Sequence, residues 1–114
     1  MLYRHRDFYR KMINSARWRA TRAMVLRRDR GLCVDCAACR RYTIATEVHH
    51  VRPVEWERTR GAMLQLMFDP ANLVSLCHDC HRRRHAELAS SDREKQKERA
   101  EIRLLQRYEE LTKK

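Results

Sequence analysis

Five cysteines are the residues of this sequence whose types and spacing most directly indicate chemistry. Two pairs have Cys-x-x-Cys spacing, Cys33 with Cys36 and Cys77 with Cys80. Each pair can grip one metal ion from a tight turn, and two pairs complete a tetrahedral four-thiolate zinc site. Such a closed site has no open coordination position, so we expect this zinc to be structural.

The fifth cysteine leaves a second arrangement open. Cys36 and Cys39 also have Cys-x-x-Cys spacing, so this pair is an alternative to Cys33 with Cys36. We favour Cys33 because Gly31 and Leu32 place a turn directly before it. On this interpretation Cys39 is a spare thiol.

The histidines form the second candidate group. His49 and His50 are adjacent in the stretch EVHHVRP, and adjacent residues of a strand point to opposite faces. His81 and His85 are four residues apart in a predicted helix, so they share one face. Histidines at that spacing suit a divalent metal, although the pair alone also fits a solvated basic helix end.

The composition indicates a polyanionic partner and a need for stabilisation beyond the apolar core. The 114 residues contain 26 Lys and Arg against 15 Asp and Glu, a formal net charge of +11, and 36% are charged. Nucleic acid is the first candidate partner, since neutralising phosphates releases counterions, and a membrane surface is the second. No apolar stretch is long enough to span a bilayer, and the N-terminal MLYRHRDFYR lacks a signal-peptide core, which favours a cytoplasmic protein and metal-bound cysteines. We expect His5 on the surface and no role for His78.

The elements that position these residues are mostly helical. Residues 1–30 read as helix, with Ser15 as a plausible N-cap and Gly31 as the stop. Trp18, Val25 and Leu26 are available for one apolar face of this helix.

Two short strands are predicted between the cysteine pairs. Residues 42–51 are rich in β-branched side chains, and Pro53 should end that strand. A second strand is predicted within residues 69–77. Residues 54–68 between them favour a short helix, broken or frayed at Gly61.

The C-terminal third reads as two helices. The first follows the second cysteine pair, over residues 78–88. Ser91 with Glu94 matches a capping box, so a new amphipathic helix is predicted over 91–114. Its apolar residues recur at helical spacing: Ile102, Leu105, Tyr108 and Leu111.

Taken together, the order Cys-x-x-Cys, His-His, Asn, Cys-x-x-Cys-His resembles the HNH endonuclease family. The matching pieces are CVDC, ATEVHHVRP, NLVSLCHDCH and, more loosely, RWRATRAMVLRRD, which cover roughly residues 17–85. They look most like small phage-type members with a four-cysteine zinc site. The resemblance implies an α+β fold, a mainly helical chain around a ββα-metal core stapled by the four-cysteine zinc site.

The same resemblance implies a single nuclease domain over residues 1–114. Its parts would be an N-terminal helical segment (1–30), the zinc knuckles with the ββα-metal core (31–89) and the C-terminal helix (91–114).

The resemblance assigns roles to individual residues. His50 would be the general base, and His49, where this branch usually has aspartate, a ligand of a catalytic divalent ion. His81 corresponds to the last motif histidine, a further ligand, and His85 falls where colicin-type nucleases have another helical histidine. Asn72 is the middle motif residue, which either orients His50 or approaches the metal.

The implied activity is metal-dependent hydrolysis of phosphodiester bonds in DNA. Imidazole ligands suit Zn²⁺, Ni²⁺ or Mn²⁺ better than Mg²⁺. Because His49 replaces the usual aspartate, the identity of the catalytic ion stays open among these four metals.

A non-catalytic zinc-stapled DNA-binding module is the main alternative, and a zinc ribbon that binds protein is another. Phage-type members often act beside packaging proteins, so the resemblance suggests a packaging or restriction context. Four arginines are candidates for holding the DNA backbone: Arg52, Arg82, Arg83 and Arg84.

Overall fold

The computed structural model describes residues 3–112, and these residues form five helices and one two-stranded sheet. The helices are α1 (Tyr3–Ile13), α2 (Ala16–Arg28), α3 (Val34–Ala38), α4 (Arg60–Phe68) and α5 (His78–Thr112). The strands are β1 (Glu47–His50) and β2 (Leu73–Leu76), with single 3-10 turns at Val54–Trp56 and Pro70–Asn72. The predicted class, a mainly helical α+β chain, is confirmed.

The N-terminal helical segment consists of two helices that meet at Ser15. The Ser15 side chain accepts a hydrogen bond from the Trp18 amide at 3.1 Å, so its predicted role as N-cap is confirmed. α2 ends where Arg30 and Gly31 adopt positive φ angles of 59° and 70°. The Gly31 amide donates to the Leu26 carbonyl at 2.8 Å, which closes the helix end as predicted.

An arginine and an aspartate at the end of α2 fix β2 against that helix. Arg28 donates to the carbonyls of Pro70 and Leu73 at 2.7 and 2.6 Å, and it forms a two-bond ion pair with Asp29. The second carboxylate oxygen of Asp29 accepts from the Ser75 amide at 3.0 Å. Backbone groups on the edge of β2 that faces away from β1 therefore bond to side chains at the end of α2, in the place that a third strand would occupy.

The sheet is shorter than the sequence suggests. β1 and β2 are antiparallel, with Glu47 opposite Leu76 and His50 opposite Leu73. The predicted strand over 42–51 is realised only at its C-terminal end, and Ile44 forms an isolated bridge with Leu32. The residues before Glu47 pair instead with the turn before α3: the Cys33 amide donates to the Thr43 carbonyl and the Ala45 amide to the Gly31 carbonyl, both at 2.8 Å.

The break in the segment between the strands lies before Gly61 and not at it. Thr59 caps α4 by accepting from the Ala62 amide at 3.2 Å, and Gly61 lies within the first turn of that helix. The predicted interruption at Gly61 is therefore wrong, because the hydroxyl of Thr59 satisfies the helix start two residues earlier.

The buried side chains form two clusters. The first combines residues from helices, turn and strand, with Met12, Trp18, Val25, Val54, Met63, Met67 and Leu73 as its buried members. The second consists of Cys33, Cys36, Leu76 and Cys80. Three of its four members are cysteines, so the thiol cluster takes the place of an apolar core in this part of the chain.

One surface expectation is wrong. His5 is 8% exposed and buried on α1, a helix that packs against α4. The basic neighbours that suggested exposure lie elsewhere around the helix, because a helical residue shares its face with positions three and four away and not with its immediate neighbours.

The C-terminal third is one helix, α5, so the predicted helix start at Ser91 is wrong. Glu94 and Ser91 lie in its interior, where the backbone amides that a capping box would satisfy already bond to carbonyls of the preceding turn.

Contacts divide the chain into two compact units, residues 1–81 and 82–114. The described part of the second unit is the remainder of α5, whose apolar residues from Ile102 onward are exposed. Among residues 3–112, none of the helices combines the length and apolar character required to cross a membrane.

Candidate metal centres and active site

Four cysteine sulfurs meet between α3, β2 and α5. The Sγ atoms of Cys33, Cys36, Cys77 and Cys80 all lie within 4.8 Å of one another. Cys36 Sγ is 3.6 Å from Cys80 Sγ and 3.9 Å from Cys77 Sγ. A tetrahedral ion with Zn–S bonds of about 2.3 Å requires sulfurs about 3.8 Å apart. The donor set and its spacing therefore fit one Zn²⁺.

Local geometry explains why these cysteines converge. Cys33 is the N-cap of α3 and accepts from the Cys36 amide at 3.5 Å, so the first pair brackets a helix start. The second pair brackets the start of α5 directly after β2. Cys39 is exposed and lies outside the four-sulfur group, so the structure favours the pair Cys33 and Cys36 over Cys36 and Cys39.

The pKa values of two thiols in the cluster are shifted in opposite directions. Burial acts to raise the pKa of Cys33, but hydrogen bonds from the backbone amides of Cys77 and Cys36 outweigh it and lower this pKa to about 7. Burial and the neighbouring sulfurs raise the pKa of Cys80. A divalent cation would remove this conflict, because four thiolates in a buried space need a positive charge among them.

The two adjacent histidines lie on opposite faces of β1. Glu47 and His49 share one face, since side chains alternate along a strand, and His50 points to the other. His49 is 4% exposed, and its ring meets the ring of His81 edge-on, with centroids 5.0 Å apart. Ring nitrogens of His49 and His81 lie within 4.8 Å of one another. His49 of β1 therefore lies beside His81 in the first turn of α5.

Glu47 binds two histidines of α5 with one carboxylate. Its Oε2 accepts from Nδ1 of His81 at 2.5 Å, and its Oε1 is 3.0 Å from Nδ1 of His78. The hydrogen bond from His78, together with that from His81, holds the pKa of Glu47 below its ordinary value, against the effect of burial. His78, for which no role was expected, therefore has a defined polar partner.

His50 lies in a different environment from His49. Its ring stacks on Trp18 of α2, with centroids 5.0 Å apart and planes inclined by 22°. Its Nε2 is 3.1 Å from the carbonyl oxygen of Met67, near the end of α4. Burial lowers the pKa of His50 below its ordinary value, and the Met67 carbonyl acts in the opposite direction. The imidazole is therefore neutral near neutral pH.

The side chain of Asn72 connects two backbone segments. Its Oδ1 accepts from the Arg52 amide at 2.8 Å, and its Nδ2 donates to the carbonyls of Arg52 and Leu66 at 3.2 and 3.1 Å. Asn72 is 8% exposed. Of the two roles left open for it, these contacts favour orienting the His50 region over approaching a metal.

The remaining predicted site residues are more exposed. Arg52 forms an ion pair with Glu57 at 2.8 Å on the loop after β1. Arg82 and Arg83 are exposed on α5, and Arg84 is half-buried. His85 is exposed and lies one helical turn after His81.

Comparison with known proteins identifies the class that this fold and these residues define. The family model for HNH endonucleases matches residues 33–87, which contain both cysteine pairs and all the paired histidines. The chain is 34% identical over 76 residues to a probable HNH endonuclease of Lactococcus phage SK1, covering 65% of this chain and 74% of the relative. The chain belongs to the HNH endonuclease family and is an endonuclease.

A solved structure supports the same assignment. The chain resembles the HNH endonuclease of the deep-sea thermophilic bacteriophage GVE2, crystallised with manganese, at a TM-score of 0.70 and 30% identity. The match covers 78% of this chain and 90% of that protein.

Three residues contact the candidate site residues although the sequence patterns did not predict it. Glu47 could have been found, because it lies two residues before His49 and a predicted strand places both on one face. Trp18 was assigned only to a buried helix face. Met67 contributes a backbone carbonyl, for which no side-chain pattern gives a signal.

Proposed function

We propose that this protein is a zinc-stapled DNA endonuclease that hydrolyses phosphodiester bonds with His50 as general base and one divalent ion held by His49, His81 and His85. Cys33, Cys36, Cys77 and Cys80 would hold the structural Zn²⁺. The two similar proteins come from phages, which favours action in the cytoplasm of an infected cell, in a packaging or restriction context.

The observation that best supports this mechanism is the hydrogen bond between His50 Nε2 and the Met67 carbonyl. A carbonyl oxygen only accepts, so Nε2 must carry the proton of the neutral imidazole. Nδ1 is then the basic nitrogen, available to take a proton from water. Because burial keeps the ring neutral and Trp18 stacks on it, the base is both deprotonated and held in one orientation.

The ion would be bound from the opposite face of β1. His49 and His81 are the proposed ligands that lie together, and His85 is the third, since its i,i+4 spacing from His81 puts both on one face of α5. When bound, a divalent ion supplies a Lewis acid that neutralises charge on the scissile phosphate and the leaving oxygen. Imidazole donors favour Zn²⁺, Ni²⁺ or Mn²⁺ over Mg²⁺.

DNA binding rests on charge and on the position of the arginines. The net charge of +11 favours a polyanion, and phosphate contacts fix its register. Arg52 follows β1 closely, whereas Arg82, Arg83 and Arg84 follow His81 along α5. We assign all four to the DNA backbone.

Plasmid cleavage tests the proposal directly. Purified protein is incubated with supercoiled DNA and Mn²⁺, Ni²⁺, Zn²⁺ or Mg²⁺, with an EDTA control. His50→Ala should abolish cleavage while zinc content and the circular dichroism spectrum stay at wild-type values. Tyr42→Ala, an exposed aromatic before β1, is the control and should cleave normally. Wild-type cleavage by His50→Ala would refute the assignment of the base.

A further inference from the structure

The carboxylate of Glu47 lies where it can control which nitrogen of His81 faces His49. Glu47 and His49 extend from the same face of β1, and that face meets the first turn of α5. Glu47 Oε2 lies 2.5 Å from His81 Nδ1, and the two side chains are 31% and 27% exposed. The contact is therefore partly shielded from water.

The chemistry of this contact fixes a tautomer. A carboxylate oxygen accepts, so the proton of a neutral His81 lies on Nδ1 and the lone pair on Nε2. Only a nitrogen with a lone pair can bind a metal ion. A carboxylate behind a metal-binding histidine also fixes the orientation of the ring and increases the basicity of the ligand.

A second contact restrains the carboxylate itself. Glu47 Oε1 is 3.0 Å from His78 Nδ1, and His78 lies between Cys77 and Cys80 in the chain. The side chain that orients His81 is thus held by the segment that belongs to the four-cysteine cluster.

We propose that Glu47 is a positioning residue of the nuclease: it keeps His81 in the Nδ1–H tautomer with Nε2 directed at the catalytic ion. This inference rests on the proposed function, because it assumes that His81 is a ligand. The His81 tautomer in the protein without a catalytic ion is, however, independent of that assumption.

The test measures the tautomer and the metal affinity separately in the full-length, zinc-loaded protein. Nitrogen-15 NMR of the histidine rings reports which nitrogen carries the proton, and calorimetry with Mn²⁺ reports binding. In Glu47→Ala the population of the Nδ1–H form of His81 should fall, and Mn²⁺ should bind about 10–100-fold more weakly, the usual effect of losing such an outer partner. Asp79→Ala removes an exposed carboxylate from the same turn of α5 and should change neither value.

A conservative variant keeps the inference testable if Glu47→Ala does not fold. The carboxylate of Glu47→Asp is withdrawn by about one carbon–carbon bond, roughly 1.5 Å, so it cannot hold both histidines at hydrogen-bond distance. Both readouts should move in the same direction as in the alanine variant. A folded Glu47 variant with the wild-type His81 tautomer would overturn the inference. If instead His81→Ala bound Mn²⁺ as tightly as wild type, the proposed ligand set would fail while the NMR result stood.

Discussion

Replacing Asn72 with alanine distinguishes two roles for this residue: holding backbone segments in place, or contacting the catalytic ion or the phosphate. The side chain makes three hydrogen bonds, all to backbone groups of the segments that follow β1 and end α4. Each such bond contributes about 0.5–1.5 kcal/mol net, and the buried partners lose their bonds when the amide is removed. We therefore expect Asn72→Ala to lower the free energy of unfolding by about 2–4 kcal/mol.

Urea denaturation at saturating zinc measures this loss. With a slope of about 2 kcal/mol per molar urea, the middle of the range for small proteins, the midpoint should fall by about 1–2 M. Gln65→Ala, which removes an exposed amide from α4, is the matched control and should stay within about 0.5 kcal/mol of wild type. Cleavage by Asn72→Ala should also fall at temperatures where it remains folded, because His50 and the Met67 carbonyl lie on the segments that Asn72 connects.

The opposite pattern would refute this reasoning. If Asn72 contacted the ion or the phosphate, its removal would weaken Mn²⁺ binding or cleavage and leave the free energy of unfolding within about 0.5 kcal/mol of wild type. A stability loss with unchanged Mn²⁺ affinity is the result that the contacts predict.

Three further predictions concern the cysteine cluster, the two histidines of β1 and Asp29. Cys77→Ser should lose zinc and unfold, because the thiol cluster replaces an apolar core in this part of the chain. Metal analysis measures the zinc content and circular dichroism measures the folding. A variant that is folded without zinc would contradict this prediction. His49→Ala should weaken Mn²⁺ binding in calorimetry, whereas His50→Ala should leave it largely intact, since the two rings lie on opposite faces of β1. Asp29→Asn should destabilise the fold by about 1–3 kcal/mol at neutral pH. Despite burial, hydrogen bonds from Arg28 and Ser75 lower the pKa of Asp29, so its contribution is present above the unfolded pKa of about 3.9 and lost as pH falls through the folded pKa. Since that window lies well below neutral pH, the difference between wild type and variant in urea titrations should be the same at about pH 6 and about pH 8, and a difference that changed between these two values would exclude the Asp29 carboxylate as its source.

The single helix at the C-terminus shows why local signals can mislead. Ser91 and Glu94 have the spacing of a helix start, yet α5 passes through them without interruption. Both residues are compatible with a helix interior, and the helix already starts at His78, directly after β2. A capping motif stabilises a start only where the preceding backbone leaves amides without partners.

The residue types and their order in the sequence determined the chemistry of this protein. Two Cys-x-x-Cys pairs, adjacent histidines, an asparagine and a further helical histidine predicted a mainly helical α+β nuclease with a thiol cluster. The chemistry of metal ligands depends on side-chain identity and local spacing, and the amino-acid sequence shows both.

The tertiary structure alone decided which distant groups lie beside those residues. It bonded Glu47 to His81 across 34 positions and set a backbone carbonyl of Met67 against His50. These choices depend on strand register and on which backbone groups approach from distant segments. Contacts of this kind arise from packing between elements: the sequence places Glu47 on the same strand face as His49, but it does not show which histidines of a distant helix that face meets.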